Sequence, residues 1–341
     1  MRFSCRDHAR TGPAATLEPM PHVLAAADDV LAAAARIAAH AAATPVLRSR
    51  SLDALAGCRL YFKGEHLQRS GAFKFRGACN AVWSLDDAEA ARGVVTHSSG
   101  NHGAALALAA RTRGIACHVV VPEGAVAAKL ANIQRHGATV WRCAATQAAR
   151  EDTCAQVQAD TGAQLVHPYA DARVIAGQGT AALELATHMA GLDGPPELLV
   201  VPVGGGGLAA GSALALATAA PDCQLVLAEP AGADDTARSL AGGARCVEFV
   251  PDTVCDGLRG ALGAPNFTLL RAGGAAAVTI QDRATVAAMQ LAWQVLKQVI
   301  EPSSAIALAA VLAQPQRFAG RRVGVILSGG NVDLEALPWQ R

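Results

Sequence analysis

Lys74 lies between two aromatic residues, Phe73 and Phe75, in a segment otherwise rich in small side chains. Burial of an amine in apolar surroundings lowers its pKa and favours the neutral form, which can attack a carbonyl group and form a Schiff base. A lysine flanked by apolar residues is more commonly a surface side chain whose amine reaches solvent. The segment therefore permits a nucleophile at Lys74 without requiring one.

Four consecutive glycines, Gly204, Gly205, Gly206 and Gly207, stand between a predicted strand and a predicted helix. Backbone N–H groups in such a turn can converge on an anion, and the helix dipole adds to the attraction. No Cβ atom keeps a ligand away from the backbone. This pattern indicates a phosphate site, although glycine-rich turns also serve tight packing.

The same glycines allow a second interpretation. Gly204-x-Gly206-x-x-Ala209, followed by Glu229 at the end of the next predicted strand, is similar to the dinucleotide-binding fingerprint. This interpretation would make the chain an NAD-dependent oxidoreductase. The fingerprint normally opens a dinucleotide domain, whereas here it lies well past the middle of the chain, and it leaves Lys74 without a function.

Two further turns carry polar side chains after predicted strands. The run Ser98-Ser99-Gly100-Asn101-His102-Gly103 offers hydroxyls, an amide and open N–H groups that can bind a carboxylate, and Asn101 can also donate to a phenolate oxygen. Serine at such a boundary is also a common helix cap, and the sequence favours a structural role for His102. Ser328 presents the same choice between a cap and a hydrogen bond to a heterocyclic nitrogen.

Short apolar runs alternate with helical stretches along most of the chain, which predicts parallel sheets with helices on both faces. The polar turns then lie at the carboxyl ends of strands, where such sheets bind ligands. The predicted strands are 93–97, 115–121, 138–143, 163–167, 198–203, 224–228 and 322–327, and the predicted helices are 21–42, 101–113, 129–136, 179–189 and one that ends at 219.

Composition restricts the class of protein. Lys and Arg number 29 against 28 for Asp and Glu, so the net charge of +1 favours a small-molecule partner and gives no reason to expect nucleic acid or an anionic membrane. Nine cysteines without a C-x-x-C pair predict reduced thiols in a cytoplasmic protein, and no disulfide framework or zinc site. No apolar run is long enough to span a bilayer or to form a signal peptide.

Taken together and in order, four segments resemble the fold-type II pyridoxal phosphate enzymes, most closely the serine/threonine dehydratase and serine racemase group. The resemblance extends from about residue 23 to about residue 335. The segments are Ser70-Gly71-Ala72-Phe73-Lys74-Phe75-Arg76-Gly77-Ala78, Ser98-Ser99-Gly100-Asn101-His102-Gly103, the glycines 204–207, and Ser328-Gly329-Gly330-Asn331.

The resemblance implies the fold and its divisions. The tryptophan synthase beta-like fold has two open parallel-sheet lobes, each of three layers, with the active site in the cleft between them. For this chain it implies an N-terminal tail at 1–20, a large cofactor-binding domain at 21–92 plus 171–341, and a small mobile domain at 93–170. A cytoplasmic homodimer is also expected.

The resemblance also implies how the cofactor would be held. Lys74 would bind pyridoxal 5′-phosphate as a Schiff base, with Phe73 against the ring. Asn101 would bond the 3′-oxygen, Ser328 the pyridine nitrogen, and the backbone of 204–207 the phosphate.

The implied reaction is β-elimination, which converts threonine, serine or 3-hydroxyaspartate into a 2-oxo acid and ammonia. Lys74 would remove the Cα proton. Ser99 would face Cα from the opposite side, so that racemisation of serine or aspartate is the alternative activity. Ser98, Ser99, Asn101 and His102 would surround the substrate carboxylate.

A divalent-cation loop is implied by the run Glu229-Pro230-Ala231-Gly232-Ala233-Asp234-Asp235. Glu229, the Ala233 carbonyl and Asp235 would supply oxygen ligands, which suit magnesium, calcium or manganese.

Three positions bear on the identity of the substrate. Ala72 replaces a serine common in threonine dehydratases, and Gly260 falls where serine racemases tend to have a substrate-contacting serine. The Ala72 form is similar to relatives that act on 3-hydroxyaspartate. Arg150 would then face the distal carboxylate of that substrate, although an exposed helical arginine is the simpler expectation.

Overall fold

The computed structural model describes residues 24–125 and 127–340, so the predicted tail at 1–20 lies outside the described residues. Its helices are, in chain order, α1 Ala27–Ile37, α2 Arg50–Ala56, α3 Lys74–Trp83, α4 Asp87–Arg92, α5 Asn101–Arg113, α6 Ala127–Arg135, α7 Gln147–Thr161, α8 Ala172–Ala190, α9 Gly207–Ala219, α10 Asp235–Gly242, α11 Ala264–Ala272, α12 Asp282–Leu291, α13 Pro302–Ala313 and α14 Pro315–Phe318. Its strands are β1 Val46–Leu47, β2 Arg59–Gly64, β3 Val94–Thr96, β4 Cys117–Pro122, β5 Thr139–Cys143, β6 Gln164–Leu165, β7 Leu198–Pro202, β8 Gln224–Pro230, β9 Ala276–Ile280 and β10 Arg322–Leu327.

Six strands form the first sheet, in the order β1-β2-β10-β7-β8-β9. All its neighbours are parallel except β1, which pairs antiparallel with β2 at one edge. Successive strand residues point to opposite faces, so Val200 packs with α13 while Leu199 and Val201 pack with α8 and α9. The sheet is thus covered by helices on both faces.

The second sheet has four parallel strands, in the order β5-β4-β3-β6. Val94 and Val119 pack with α3 and α5 on one face, whereas Val95 and Val120 pack with α7 on the other. Each sheet therefore forms the middle of three layers, and the predicted fold class is confirmed.

The strands of the first sheet fall in the ranges 21–92 and 171–341, and those of the second fall in 93–170. Helix α3 precedes the second sheet in the chain, yet its apolar residues Phe75 and Val82 belong to the core of that sheet. The proposed domain boundaries, and the mobility of the smaller domain, remain predictions.

Several elements differ from the sequence-based expectations. β1, β2 and β9 were not predicted, because Lys63 interrupts the apolar run in β2 and alanine at the start of β9 favours helix. The first helix covers Ala27–Ile37 and not 21–42. α8 begins at Ala172, where the side chain of Asp171 accepts a hydrogen bond from the Arg173 N–H and caps the helix.

No helix in the described part of the chain combines the length and the hydropathy that crossing a membrane requires.

Candidate active site

Loops at the carboxyl ends of both sheets meet in a cavity of about 500 Å³. The loops after β3, β7 and β10 and the start of α3 contribute to its walls. The residues predicted from the sequence to bind cofactor or substrate all line this cavity: Phe73, Lys74, Ser98, Ser99, Asn101, His102, Arg150, Gly204, Gly205, Gly206, Gly207 and Ser328. Their individual roles remain predictions.

Lys74 is the first residue of α3 and is half-buried. The N–H of Phe73 donates to the Ser328 carbonyl at 2.9 Å, so the start of α3 is fixed against the end of β10. The Lys74 Nζ donates to the Pro168 carbonyl at 2.9 Å and lies 5.1 Å from the centre of the Phe73 ring. Burial lowers the pKa of Lys74 from 10.5 to about 8, which makes the neutral amine accessible near neutral pH.

A buried charged cluster anchors α3 from the side away from the cavity. Arg76, two residues after Lys74, is fully buried and donates to Glu65 at 2.7 Å and to Glu184 on α8 at 2.6 Å. The buried Lys63 donates to the same Glu184 at 2.6 Å. Because an unpaired buried charge is very unfavourable, these partners hold the first turn of α3 in one position.

The glycine turn has the geometry of an anion site. Gly206 has φ +87° and caps α9, and a Cβ there would lie 2.5 Å from Leu262 Cδ1. A Cβ at Gly205 would overlap the ring of Tyr169. None of the four N–H groups at 204–207 donates to a described residue, although three of these glycines are buried. Buried N–H groups without partners at a helix N-terminus fit a phosphate group.

Polar groups at the far end of the site form a hydrogen-bonded set. Asn101, the first residue of α5, donates from Nδ2 to Glu301 at 2.9 Å and accepts from Asn331 Nδ2 at 2.9 Å. Ser328 is 3% exposed and lines the same cavity. An amide and a hydroxyl of this kind fit the polar atoms of a pyridine ring, so the residues present suit the implied cofactor.

His102 and Ser98 lie in the turn after β3. His102 is buried, and burial together with the nearby Lys74 amine lowers its pKa well below the usual value, so the imidazole is neutral. Its Nε2 lies 3.2 Å from the Val166 carbonyl. The Ser98 Oγ accepts from the Gly100 N–H at 3.4 Å.

Arg150 reaches the cavity from the first turn of α7. Its Nε atom is buried and makes no hydrogen bond within the described ranges, and no described carboxylate forms an ion pair with its guanidinium. The simple expectation of an exposed surface arginine was wrong, because the side chain is half-buried at the cavity. A half-buried guanidinium without an acidic partner in the described ranges can bind an anionic ligand.

The residues of the predicted cation loop do not line the cavity. The Glu229 carboxylate accepts the N–H groups of Thr236 and Ala237, each at 2.8 Å, while Asp235 accepts the Leu262 N–H through one oxygen and has no partner on the other among residues 24–125 and 127–340. Burial raises the pKa of Glu229 to about 7 and that of Asp235 to about 6. The unpartnered oxygen of the buried Asp235 carboxylate fits a hard divalent cation.

Several residues of the site were not found from the sequence. Pro168 contributes a carbonyl, Glu301 and Asn331 orient Asn101, and Tyr169 lies on the glycine turn. Asn331 closes the segment Ser328-Gly329-Gly330-Asn331, but neither it nor the other three residues lies near its partner in the sequence, so only the folded structure reveals these contacts.

Comparison with known proteins agrees with this geometry. The family model described as pyridoxal-phosphate dependent enzyme matches residues 37–329. A beta-hydroxyaspartate dehydratase from Paracoccus denitrificans (strain Pd 1222) is 48% identical over 312 residues, which cover 92% of this chain and 98% of that protein. A serine racemase from Arabidopsis thaliana is 47% identical over 86% of this chain and 89% of that protein. The structure of maize serine racemase matches with a TM-score of 0.88 and 42% identity, covering 93% of this chain and 97% of that chain.

The dinucleotide interpretation is not supported. Glu229, which would have bound a ribose, is 0% exposed and does not line the cavity. The matching family is also that of pyridoxal phosphate enzymes.

Proposed function

The chain belongs to the family of pyridoxal-phosphate-dependent enzymes, and on this premise we propose that it is an ammonia-lyase acting on a β-hydroxy amino acid. The products would be a 2-oxo acid and ammonia, and the candidate substrates are threonine, serine and 3-hydroxyaspartate. One observation carries the proposal: the Lys74 amine, the N–H groups of 204–207 and the polar turn after β3 line a single cavity.

Among these substrates, 3-hydroxyaspartate has the most support. It carries a second carboxylate, and Arg150 offers a partly buried guanidinium without an acidic partner within the described ranges. The relative from Paracoccus denitrificans is a beta-hydroxyaspartate dehydratase.

Pyridoxal phosphate supplies, when bound, an electron-withdrawing ring that stabilises negative charge at the substrate Cα. Lys74 would hold its aldehyde carbon, and the N–H groups of 204–207 would hold its phosphate. Asn101 would donate to the 3′-oxygen, and Phe73 would lie against the ring. Ser328 would offer the ring nitrogen a neutral hydroxyl, which donates a hydrogen bond without transferring a full proton.

Lys74 is also the proposed base for the substrate. Its amine has a pKa of about 8 because of burial, so roughly a tenth of it is neutral at pH 7 and can accept the Cα proton. Ser98, Ser99, Asn101 and His102 would bind the substrate carboxylate through hydroxyl, amide and N–H donors, and the neutral His102 adds no positive charge there.

Racemisation of serine or aspartate is the second candidate function. Ser99 lines the same cavity as Lys74, and a serine hydroxyl that faces Cα opposite the lysine could return a proton to the other side. The serine racemases among the relatives favour keeping this candidate.

The purified holoenzyme should be tested with serine, threonine and both 3-hydroxyaspartate diastereomers, with the 2-oxo acid and the D-enantiomer measured in the same samples. We expect 2-oxo acid to be the main product. Borohydride should fix the cofactor to Lys74, and Lys74→Ala should abolish both the visible absorbance band and turnover. Lys297→Arg, at an exposed lysine outside the cavity, is the matched control. Cofactor fixed at another lysine, or turnover by Lys74→Ala, would contradict the assignment.

A divalent cation is a further proposal. Magnesium, calcium or manganese would be bound by Glu229, the Ala233 carbonyl and Asp235. This site would lie next to the glycine turn, since the Asp235 carboxylate accepts the N–H of Leu262 and Leu262 packs at Gly206. We also propose that the enzyme is a homodimer in the cytoplasm. Light scattering of the purified protein tests the dimer, and cell fractionation tests the location.

A further inference from the structure

Tyr169 lies in the connection between β6 and α8 and lines the cavity. Its ring covers Gly205, where any Cβ would overlap it, and its carbonyl accepts from Asn266 Nδ2 at 2.9 Å. The preceding carbonyl, that of Pro168, accepts from the Lys74 amine. Tyr169 is therefore held between the glycine turn and the lysine.

The phenolic end of Tyr169 is directed toward Gly260, another residue of the cavity wall. A Cβ at Gly260 would lie 3.7 Å from Tyr169 Cε1 and 4.0 Å from its hydroxyl oxygen. Because glycine has no side chain, this space beside the hydroxyl is open. Within the described ranges, no residue forms a hydrogen bond with the hydroxyl, whereas the chain's other tyrosine, Tyr61, donates to Asp193 at 2.6 Å.

The hydroxyl is a donor at neutral pH. Burial is the main cause that raises the pKa of Tyr169 above 10, so the phenol stays protonated. Arg150 contributes a second donor to the same cavity, with a buried Nε that lacks a partner among the residues the structure describes. Both donors line one cavity and have no acceptor within the described ranges, so each is available to a ligand, and a charged donor favours a carboxylate over a neutral group.

We propose that Tyr169 is a specificity-determining residue, whose hydroxyl donates a hydrogen bond to the distal carboxylate of a dicarboxylic substrate while Arg150 neutralises its charge. This inference rests on the proposed function, and it identifies the substrate class as β-hydroxy amino acids that carry a second carboxylate. Serine and threonine have no distal carboxylate, so their turnover does not depend on the hydroxyl.

The first test compares wild-type holoenzyme with Tyr169→Phe, which keeps the ring on Gly205 and removes only the hydroxyl. A hydrogen bond to a charged group is strong enough that kcat/KM for 3-hydroxyaspartate should fall roughly ten- to hundredfold, mainly through KM. The value for serine should change less than about threefold. Tyr61→Phe removes the other phenolic hydroxyl, outside the cavity, and should leave both substrates unaffected.

A rescue variant separates specificity from structure. A serine at position 260 would start from a Cβ 4.0 Å from the missing hydroxyl, so Tyr169→Phe combined with Gly260→Ser places a new donor in the same space. We expect this double variant to recover most of the loss for 3-hydroxyaspartate. An equal loss of kcat/KM for serine and 3-hydroxyaspartate in Tyr169→Phe would overturn the proposal, because the hydroxyl would then have only a structural role. No loss of kcat/KM for either substrate would also overturn it, because the hydroxyl would then have no role in turnover.

Binding of a non-reactive dicarboxylate keeps the test independent of turnover. Calorimetry should show that succinate binds wild-type holoenzyme more tightly than butanoate does, and that Tyr169→Phe weakens succinate about as much as it weakens 3-hydroxyaspartate. If the wild type deaminates none of the amino acids, the proposed lyase function fails, but the succinate result still decides the carboxylate site. Equal affinity of wild type and Tyr169→Phe for succinate would refute the role of Tyr169.

Discussion

Gly206→Ala tests whether the glycine turn is shaped for a ligand. Gly206 has φ +87°, where an alanine costs about 1–2 kcal/mol. The added Cβ would also lie 2.5 Å from Leu262 Cδ1 and 2.9 Å from Asn266 Cβ, and overpacking of this kind costs about 1–3 kcal/mol. We therefore expect the free energy of unfolding of the cofactor-free protein to fall by about 2–5 kcal/mol.

Gly320→Ala is the matched control, because Gly320 has φ +72° and its Cβ would meet nothing within 4 Å. It should cost only the backbone strain, about 1–2 kcal/mol. Urea unfolding of both variants gives the difference, provided that the slope m is unchanged.

Cofactor affinity gives the second measurement on the same pair. Displacement of the turn should misplace at least one N–H donor to the phosphate, which weakens pyridoxal phosphate binding roughly ten- to hundredfold for Gly206→Ala, as followed by absorbance titration. Gly320→Ala should bind the cofactor like the wild type. Equal destabilisation of the two variants, together with equal cofactor affinity, would refute the reasoning from packing at Gly206.

Three further predictions concern other parts of the site. The rate at which cofactor-free protein acquires the visible band should rise with pH, reach half its final value near pH 8 and level off above about pH 9, because burial lowers the pKa of Lys74 to about 8 and only the neutral amine reacts. A rate that still rises steeply between pH 9 and pH 10 would contradict this. Ser99→Ala should suppress any D-product while sparing much of the 2-oxo acid formed from L-substrates, and an equal loss of both would count against its proposed role. Magnesium should raise the melting temperature of the wild type by several degrees and have little effect on Asp235→Asn, whereas Asp222→Asn, at an exposed acid, should respond like the wild type.

The order of the elements and many of the residues that line the site could be predicted from the sequence. The reason is that the glycine turn and the two polar turns each follow a predicted strand, which places them at the carboxyl ends of the sheets. The helix at Asn101–Arg113 and the strand at Arg322–Leu327 were predicted with their observed bounds. In contrast, the sequence does not predict β9, because its alanines favour helix. Pairing with β8 overrides that preference.

Contacts between distant parts of the chain could not be predicted from the sequence. Tyr169 meets Gly205 and Gly260 only because the connection after β6 passes over the glycine turn. Arg150 belongs to none of the four motif segments, and neither composition nor spacing indicates that its Nε is buried. Such contacts depend on how the two sheets pack, which local patterns do not encode.

The buried cluster around Arg76 has a consequence for the newly synthesised chain. Arg76 bonds Glu65, 11 residues earlier, and Glu184, 108 residues later, so α3 cannot reach its final position until α8 has left the ribosome and docked. Until then Lys74 is an ordinary solvated amine with a pKa near 10.5 and is almost wholly protonated. Cellular aldehydes therefore meet an unreactive ammonium during synthesis, and the lysine becomes a nucleophile only when the cavity that selects its partner already exists.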